Sequence, residues 1–142
     1  MTVHGVTTHG AEVSWTGDRD DLRRHTVRAG GQEIGGSCSP EWGGDPERAD
    51  PEALFVASLS SCHMLWFLDL ARQERLRVTA YADRAEGTMD GTRFTLVALR
   101  PRAEFEGEVE EGTVEALHHR AHEACFIANT VSCPVEVEWC SP

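Results

Sequence analysis

A long apolar helix is the feature of this sequence that most constrains the fold. Asp50 is predicted as its N-cap and Pro51 as its first helical residue, and the helix is expected to run to about Gln73 or Glu74. Its side chains are apolar nearly all round: Leu54, Phe55, Val56, Leu59, Met64, Leu65, Trp66, Phe67 and Leu68. A helix without a polar face is covered by protein on all sides. Since a chain of 142 residues has few elements for that purpose, we expect a second subunit to cover part of it.

Strands are predicted before and after this helix, because apolar or β-branched residues alternate with polar ones there. The predicted strands cover residues 3–15, 25–28, 32–37, 75–86, 93–105 and 135–139. Turns are expected at Ala29-Gly30-Gly31 and Asp90-Gly91, a loop over residues 38–49, and a second helix over residues 114–124. This order predicts an α+β fold with antiparallel sheets, in a single domain of residues 1–142.

The charge of the chain limits its partners. The chain has 13 Lys and Arg residues and 24 Asp and Glu residues, for a formal net charge of −11. Nucleic acids and anionic membranes attract basic surfaces, so we expect neither as a partner. The most apolar stretch, residues 53–68, contains three serines and His63 and is short for a membrane span. No signal peptide is visible after Met1, so the protein is expected in the cytoplasm with its five cysteines reduced.

Two of the cysteines lie in the predicted helices. Cys62 lies in the middle of the apolar helix, and Cys125 ends the second helix. A thiolate that attacks a peroxide becomes a sulfenic acid, and a second thiol then condenses with it to a disulfide. Cys62 is too far from its helix N-terminus for the helix dipole to stabilise a thiolate, so a cationic side chain would be required. The alternative is a purely structural role, in which both cysteines are small buried apolar residues. The others, Cys38, Cys133 and Cys140, are interpreted as incidental.

The residues around these two cysteines resemble a known family. The stretch DPEALFVASLSSCH at residues 50–63 is similar to the Pro-Glu-x-Leu…Cys helix of the OsmC/Ohr family, the osmotically inducible and organic hydroperoxide resistance proteins. The stretch AHEACFIAN at residues 121–129 resembles the second cysteine motif of that family. The spacings also fit, with 10 residues from Glu52 to Cys62 and 63 from Cys62 to Cys125. One departure is Cys125-Phe126, where the family often has Cys-Pro.

The resemblance implies an intertwined homodimer, with antiparallel sheets wrapped around central helices, and a cysteine-based peroxidase of organic hydroperoxides. Cys62 would be the peroxidatic thiol and Cys125 the resolving thiol, with an external dithiol reductant and no cofactor or metal. Glu52 matches the family glutamate that holds an arginine against the reactive sulfur. Because ten helical residues span about 15 Å, Glu52 is expected to serve Cys62 of the partner subunit. Trp66 and Phe67 would line an apolar pocket for the peroxide.

The arginine of this site comes from an early strand or the following loop in the family. Arg23, two residues before His25, is the first choice here. The alternatives are Arg19, Arg24, Arg28 and Arg48.

Other functions fit the same sequence. A redox sensor that is oxidised without turnover, or a binding protein for a small apolar ligand, would use the same scaffold. His118 and His122 lie four residues apart on one helical face, which is the spacing of metal ligands in a zinc-dependent hydrolase.

Overall fold

The computed structural model describes residues 5–140, which form two α-helices and eight strands. In chain order the elements are β1 (Ala11–Ser14), β2 (His25–Ala29), β3 (Gln32–Gly36), a short 3₁₀ helix (Pro40–Trp42), α1 (Pro51–Gln73), β4 (Val78–Asp83), β5 (Glu86–Asp90), β6 (Arg93–Leu99), β7 (Pro101–Phe105), α2 (Glu111–Ala124) and β8 (Val135–Val137). Contacts divide the chain into two compact units, one ending at Phe55 and one beginning at Val56. The single domain over residues 1–142 stays a prediction.

The unit that ends at Phe55 contains an antiparallel sheet of order β1-β2-β3. The predicted hairpin is confirmed, with Val27 opposite Ile34 and with Gly30 in the left-handed region at φ 59°. A residue with a side chain rarely adopts that conformation, so the glycine fits the turn. The strand predicted over residues 3–15 is shorter than expected, because β1 covers only Ala11–Ser14. Its predicted part over residues 3–4 lies outside the described residues.

Helix α1 begins and ends close to its predicted bounds. The backbone N–H of Ala53 donates to Asp50 Oδ1 at 2.6 Å, which confirms Asp50 as the cap. At the other end, Arg75 has a φ of 59°, and the N–H of Leu76 donates to the carbonyl of Ala71 at 2.9 Å. This left-handed residue closes the helix in the manner of a C-terminal cap. Among residues 5–140, α1 alone is long and apolar enough to cross a membrane, a test that core helices of soluble proteins also pass.

The unit that begins at Val56 contains two sheets, β4-β7 and β5-β6-β8. The predicted α+β class with antiparallel sheets is confirmed, with one exception. Strand β8 pairs parallel with β6, with Val97 opposite Val135. Alternation of apolar and polar residues predicts a strand and says nothing of its direction, so the antiparallel expectation was wrong for this pair.

Three predicted strands have different bounds in the structure. Residues 93–105, predicted as one strand, form β6 and β7 with a break at Arg100, whose N–H donates to Asp83 Oδ1 at 2.6 Å. Pro101 opens β7, a position where a missing N–H is tolerated. Within the strand predicted over residues 75–86, β4 covers only Val78–Asp83 and Glu86 already begins β5. The strand predicted over residues 135–139 ends at Val137.

The core of this second unit is built mainly between the two helices. A cluster of buried apolar side chains joins α1, β7 and α2: Trp66, Phe67, Leu70, Ala71, Ala103, Leu117 and Ala121. Helix α2 begins at Glu111, earlier than the predicted residue 114. Because α2 packs on α1 through this cluster, the residues at its C-terminal end are held close to the middle of α1.

Candidate functional site

Cys62 lies in the middle of α1 and is partly buried. Its side chain packs against the apolar cluster of the core. Trp66 follows one turn later on the same helix face, since residues four apart in a helix are neighbours. Helix α1 therefore presents a thiol and an indole side by side.

Cys125 caps the C-terminal end of α2 and is only 1% exposed. The turn that follows holds its position. The backbone N–H of Ala128 donates to Cys125 Sγ at 3.4 Å, and the N–H of Asn129 donates to the Cys125 carbonyl at 3.0 Å. A thiol fixed in this way is anchored by backbone rather than by a mobile side chain.

The structure brings the thiols of Cys62 and Cys125 together. Both are free, and the Cys62 side chain lies close enough to the Cys125 thiol to influence its ionisation. The pKa of Cys125 is raised to about 11, chiefly by burial and further by the neighbouring Cys62, while the N–H of Ala128 acts in the opposite direction. At neutral pH Cys125 is therefore protonated, and a protonated thiol is a poor nucleophile.

A second contact joins the same two chain segments. Phe126, the residue after Cys125, packs against Trp66 in a T-shaped arrangement, with ring centroids 5.3 Å apart and an interplanar angle of 88°. Trp66 is buried, whereas Phe126 is 47% exposed. The sequence predicted Trp66 near the reactive thiol but gave no such prediction for Phe126, whose only signal was its departure from the Cys-Pro of the family motif.

A buried pair of imidazoles lies beside this region and was also missed. His63 Nε2 and His118 Nδ1 are 3.1 Å apart and share a hydrogen bond, and the rings stack with centroids 5.4 Å apart. Both side chains are almost fully buried, at 0% and 2% exposure. Burial lowers the pKa of His63 to about 3, with help from His118 and His122, and burial lowers the pKa of His118 to about 4. Both are neutral at physiological pH.

The described residues do not supply the ligands for a zinc site at His118 and His122. Both histidines border an open cavity of about 660 Å³ that also contacts Trp139. His118, however, is buried and uses one ring nitrogen to bond His63. Across residues 5–140, no group of three or more His, Cys, Asp or Glu side chains could hold a metal ion.

Glu52 and Arg23 both belong to the unit that ends at Phe55, whereas both cysteines belong to the other unit. Glu52 lies in the first turn of α1. The Arg23 Nε–H donates to the carbonyl of Trp42 at 3.0 Å, and within the described chain Arg23 forms no ion pair. The Asp21 carboxylate lies nearby, and its pKa is lowered chiefly by backbone hydrogen bonds from Arg24 and Arg23 and further by the charges of their side chains. The roles of Arg23 and Glu52 stay predictions.

Three of the four alternative arginines have carboxylate partners. Arg24 pairs with Asp21 and Asp45, and Arg28 with Glu12 and Glu33. Arg48 lies 3.9 Å from Asp45 and donates to the backbone carbonyl of His25 at 3.1 Å. Arg19 forms no ion pair in the part of the chain that is described. Within the described residues, Arg23 and Arg19 are therefore the two candidates that form no direct ion pair.

Comparison with known proteins agrees with this architecture. The profile of the OsmC-like protein family matches residues 44–139. An OsmC-like protein of unknown function from Vibrio cholerae is 36% identical, covers 95% of this chain and 100% of its own, and superimposes with a TM-score of 0.86. No curated protein matches the chain.

Two more distant solved structures carry functional names. An organic hydroperoxide resistance protein OsmC from Legionella pneumophila is 21% identical, with a TM-score of 0.71 and coverage of 96% of this chain and 97% of its own. An organic hydroperoxide resistance protein from Elizabethkingia anophelis has the same identity and TM-score, with 96% coverage of both chains. At this identity the likeness shows the fold alone.

Proposed function

Because the chain belongs to the OsmC-like protein family, we propose that it is a thiol-dependent peroxidase that reduces organic hydroperoxides. The observation that carries the proposal is the proximity of the Cys62 and Cys125 side chains. They come from segments 63 residues apart, and two thiols in contact can close a disulfide.

The difference in environment assigns the two roles in this proposal. Cys125 is almost fully buried, so a peroxide in solution reaches it less readily than Cys62, which suits a thiol that acts second. Cys62 is the more exposed of the two and attacks the peroxide. Its thiolate takes the terminal oxygen of R–O–O–H and becomes a sulfenic acid, and the alkoxide leaves with a proton as the alcohol. The Cys125 thiol then attacks the sulfenic sulfur, which forms the Cys62–Cys125 disulfide and releases water.

Two further residues and a reductant complete the cycle. Arg23, held by Glu52 of the partner subunit, supplies the positive charge that a Cys62 thiolate needs. An external dithiol reduces the disulfide and returns both thiols. No cofactor enters the cycle, and the reaction takes place in the cytoplasm, where a dithiol pool keeps the cysteines reduced.

The proposed protein acts as a homodimer. Helix α1 is apolar nearly all round, yet its Leu65 is half-exposed in the single chain. A large apolar side chain on such a helix favours a second subunit as cover. Light scattering of the purified protein is expected to give twice the chain mass, and a monomer at micromolar concentration would contradict this part of the proposal.

One equivalent of cumene hydroperoxide tests the chemistry directly. We expect the reduced protein to lose the mass of two hydrogen atoms, and peptide mass spectrometry to find Cys62 linked to Cys125. A Cys140→Ser variant is the matched control, because Cys140 is exposed and lies outside the thiol pair, so its disulfide should be the same. A link through Cys38 or Cys133, or no link at all, would contradict the proposal.

A redox sensor is the second candidate, and the raised pKa of Cys125 favours it. A thiol that stays protonated condenses slowly with a sulfenic acid, so oxidation would be stoichiometric. With excess peroxide and a dithiol such as dihydrolipoamide, a peroxidase consumes many equivalents per chain. A sensor stops after it has consumed one equivalent of peroxide per chain.

A further inference from the structure

Two pairs of side chains lie next to each other between α1 and the segment that follows α2. Cys62 lies near Cys125, and one helical turn later the Trp66 ring contacts the Phe126 ring. Because residues four apart on a helix lie about 6 Å from each other, the ring contact is next to the two cysteines. A molecule that reaches the Cys62 sulfur therefore meets the aromatic pair.

Phe126 is the half of that pair that a substrate can reach. Its ring meets Trp66 in a T-shaped contact, and the residue is 47% exposed, so much of its surface remains uncovered by the chain. Its backbone is fixed as well, since the Thr130 hydroxyl donates to the Phe126 carbonyl at 2.7 Å. A held ring with an open face binds other flat apolar groups well, because little side-chain freedom is lost.

We propose that Phe126 is a specificity-determining residue that contacts the apolar group of the hydroperoxide and selects aryl-substituted alkyl hydroperoxides over hydrogen peroxide. The inference rests on the proposed function and names a substrate class for the same site. When the O–O bond of cumene hydroperoxide is at the Cys62 sulfur, its phenyl ring lies over Phe126 and Trp66. The terminal oxygen goes to sulfur, the O–O bond breaks, and the cumyl alkoxide leaves as the alcohol. Hydrogen peroxide undergoes the same step without the ring contact.

The test compares kcat/KM for cumene hydroperoxide with kcat/KM for hydrogen peroxide, in the full-length protein with a dithiol reductant. Phe126→Ala is expected to lower this ratio about tenfold, the usual effect of one apolar contact on discrimination. Phe126→Leu, which keeps an apolar side chain, is expected to fall between the wild type and Phe126→Ala. Met89→Ala is the matched control, because Met89 is an apolar side chain of similar exposure (42%) on β5, and it should leave the ratio unchanged.

The outcomes separate this inference from the proposed function. A wild type that consumes neither peroxide removes the proposed function itself. A Phe126→Ala ratio within about twofold of wild type overturns the role of Phe126 and leaves the peroxidase intact. If Phe126→Ala is inactive with both peroxides, Phe126→Leu decides: a lowered ratio supports the inference, and an unchanged ratio overturns it.

Discussion

Cys62→Ser is expected to abolish the consumption of organic hydroperoxide in the presence of a dithiol. A serine hydroxyl does not form the anion that attacks the O–O bond at neutral pH, so the loss should exceed about a thousandfold, as for other covalent nucleophiles. Since sulfur and oxygen differ little in size, the core around Trp66 and Phe67 should pack as before. The measurement is peroxide concentration over time, with a thermal melt to confirm folding.

The variant Cys125→Ser distinguishes the role of Cys125 from that of Cys62. This variant should consume about one equivalent of peroxide per chain and then stop, with an oxidised Cys62 that a sulfenic-acid reagent labels. Cys38→Ser, a cysteine outside the pair, should turn over like the wild type and serves as the control. Equal steady-state rates for the wild type and Cys62→Ser would remove the peroxidase proposal.

A large loss of stability between pH 7 and pH 5 is the second result we expect. The pKa values of His63 and His118 are lowered to about 3 and about 4, because both rings are buried. A histidine with a lowered folded-state pKa stabilises the fold fully above its unfolded pKa, near 6.5, and loses that contribution as the pH falls below it. At pH 5 each ring should then lower the free energy of unfolding by about 2 kcal/mol, or roughly 4 kcal/mol for both rings. Urea denaturation at the two pH values measures the difference.

Two variants isolate the contribution of the buried pair. The double variant His63→Leu/His118→Leu removes both rings. Its unfolding free energy should therefore decrease from pH 7 to pH 5 by roughly 4 kcal/mol less than that of the wild type. His119→Gln is the control, because His119 is exposed and pairs with Glu123 at 3.3 Å, so it should keep the wild-type pH dependence. His118→Leu alone leaves His63 Nε2 unpaired and should cost about 1–3 kcal/mol at pH 7. A double variant with unchanged pH dependence would show that other groups cause the acid sensitivity.

Local signals in the sequence predicted much of the fold. Asp50 before Pro51 predicted the start of α1, and Gly30-Gly31 predicted the first hairpin, because both depend on a few adjacent residues. The break at Arg100 was missed, since it depends on a hydrogen bond to Asp83, 17 positions away. The direction of β8 was missed for the same reason: it depends on which strand lies beside it.

The candidate site was predicted unevenly. The two cysteines were selected by their place in the two predicted helices, and the family resemblance supplied their roles, since no periodicity would have paired residues 63 positions apart. His118 was interpreted as a metal-ligand candidate, although it follows the buried positions Val114 and Leu117 at core spacing on α2. His63 likewise lies on an apolar helix. A histidine at a core position was therefore the available signal for the buried pair, but its partner could be known only from the packing of α1 against α2.

The parallel pairing of β6 with β8 affects how the chain can fold during synthesis. Val97 pairs with Val135, 38 positions later, and α2 lies between them. Until β8 has left the ribosome, the backbone donors and acceptors on one side of β6 are unpaired. They can then pair with strands of other nascent chains. This unit thus gains its full set of main-chain partners only late in translation, and such long-range closure slows folding.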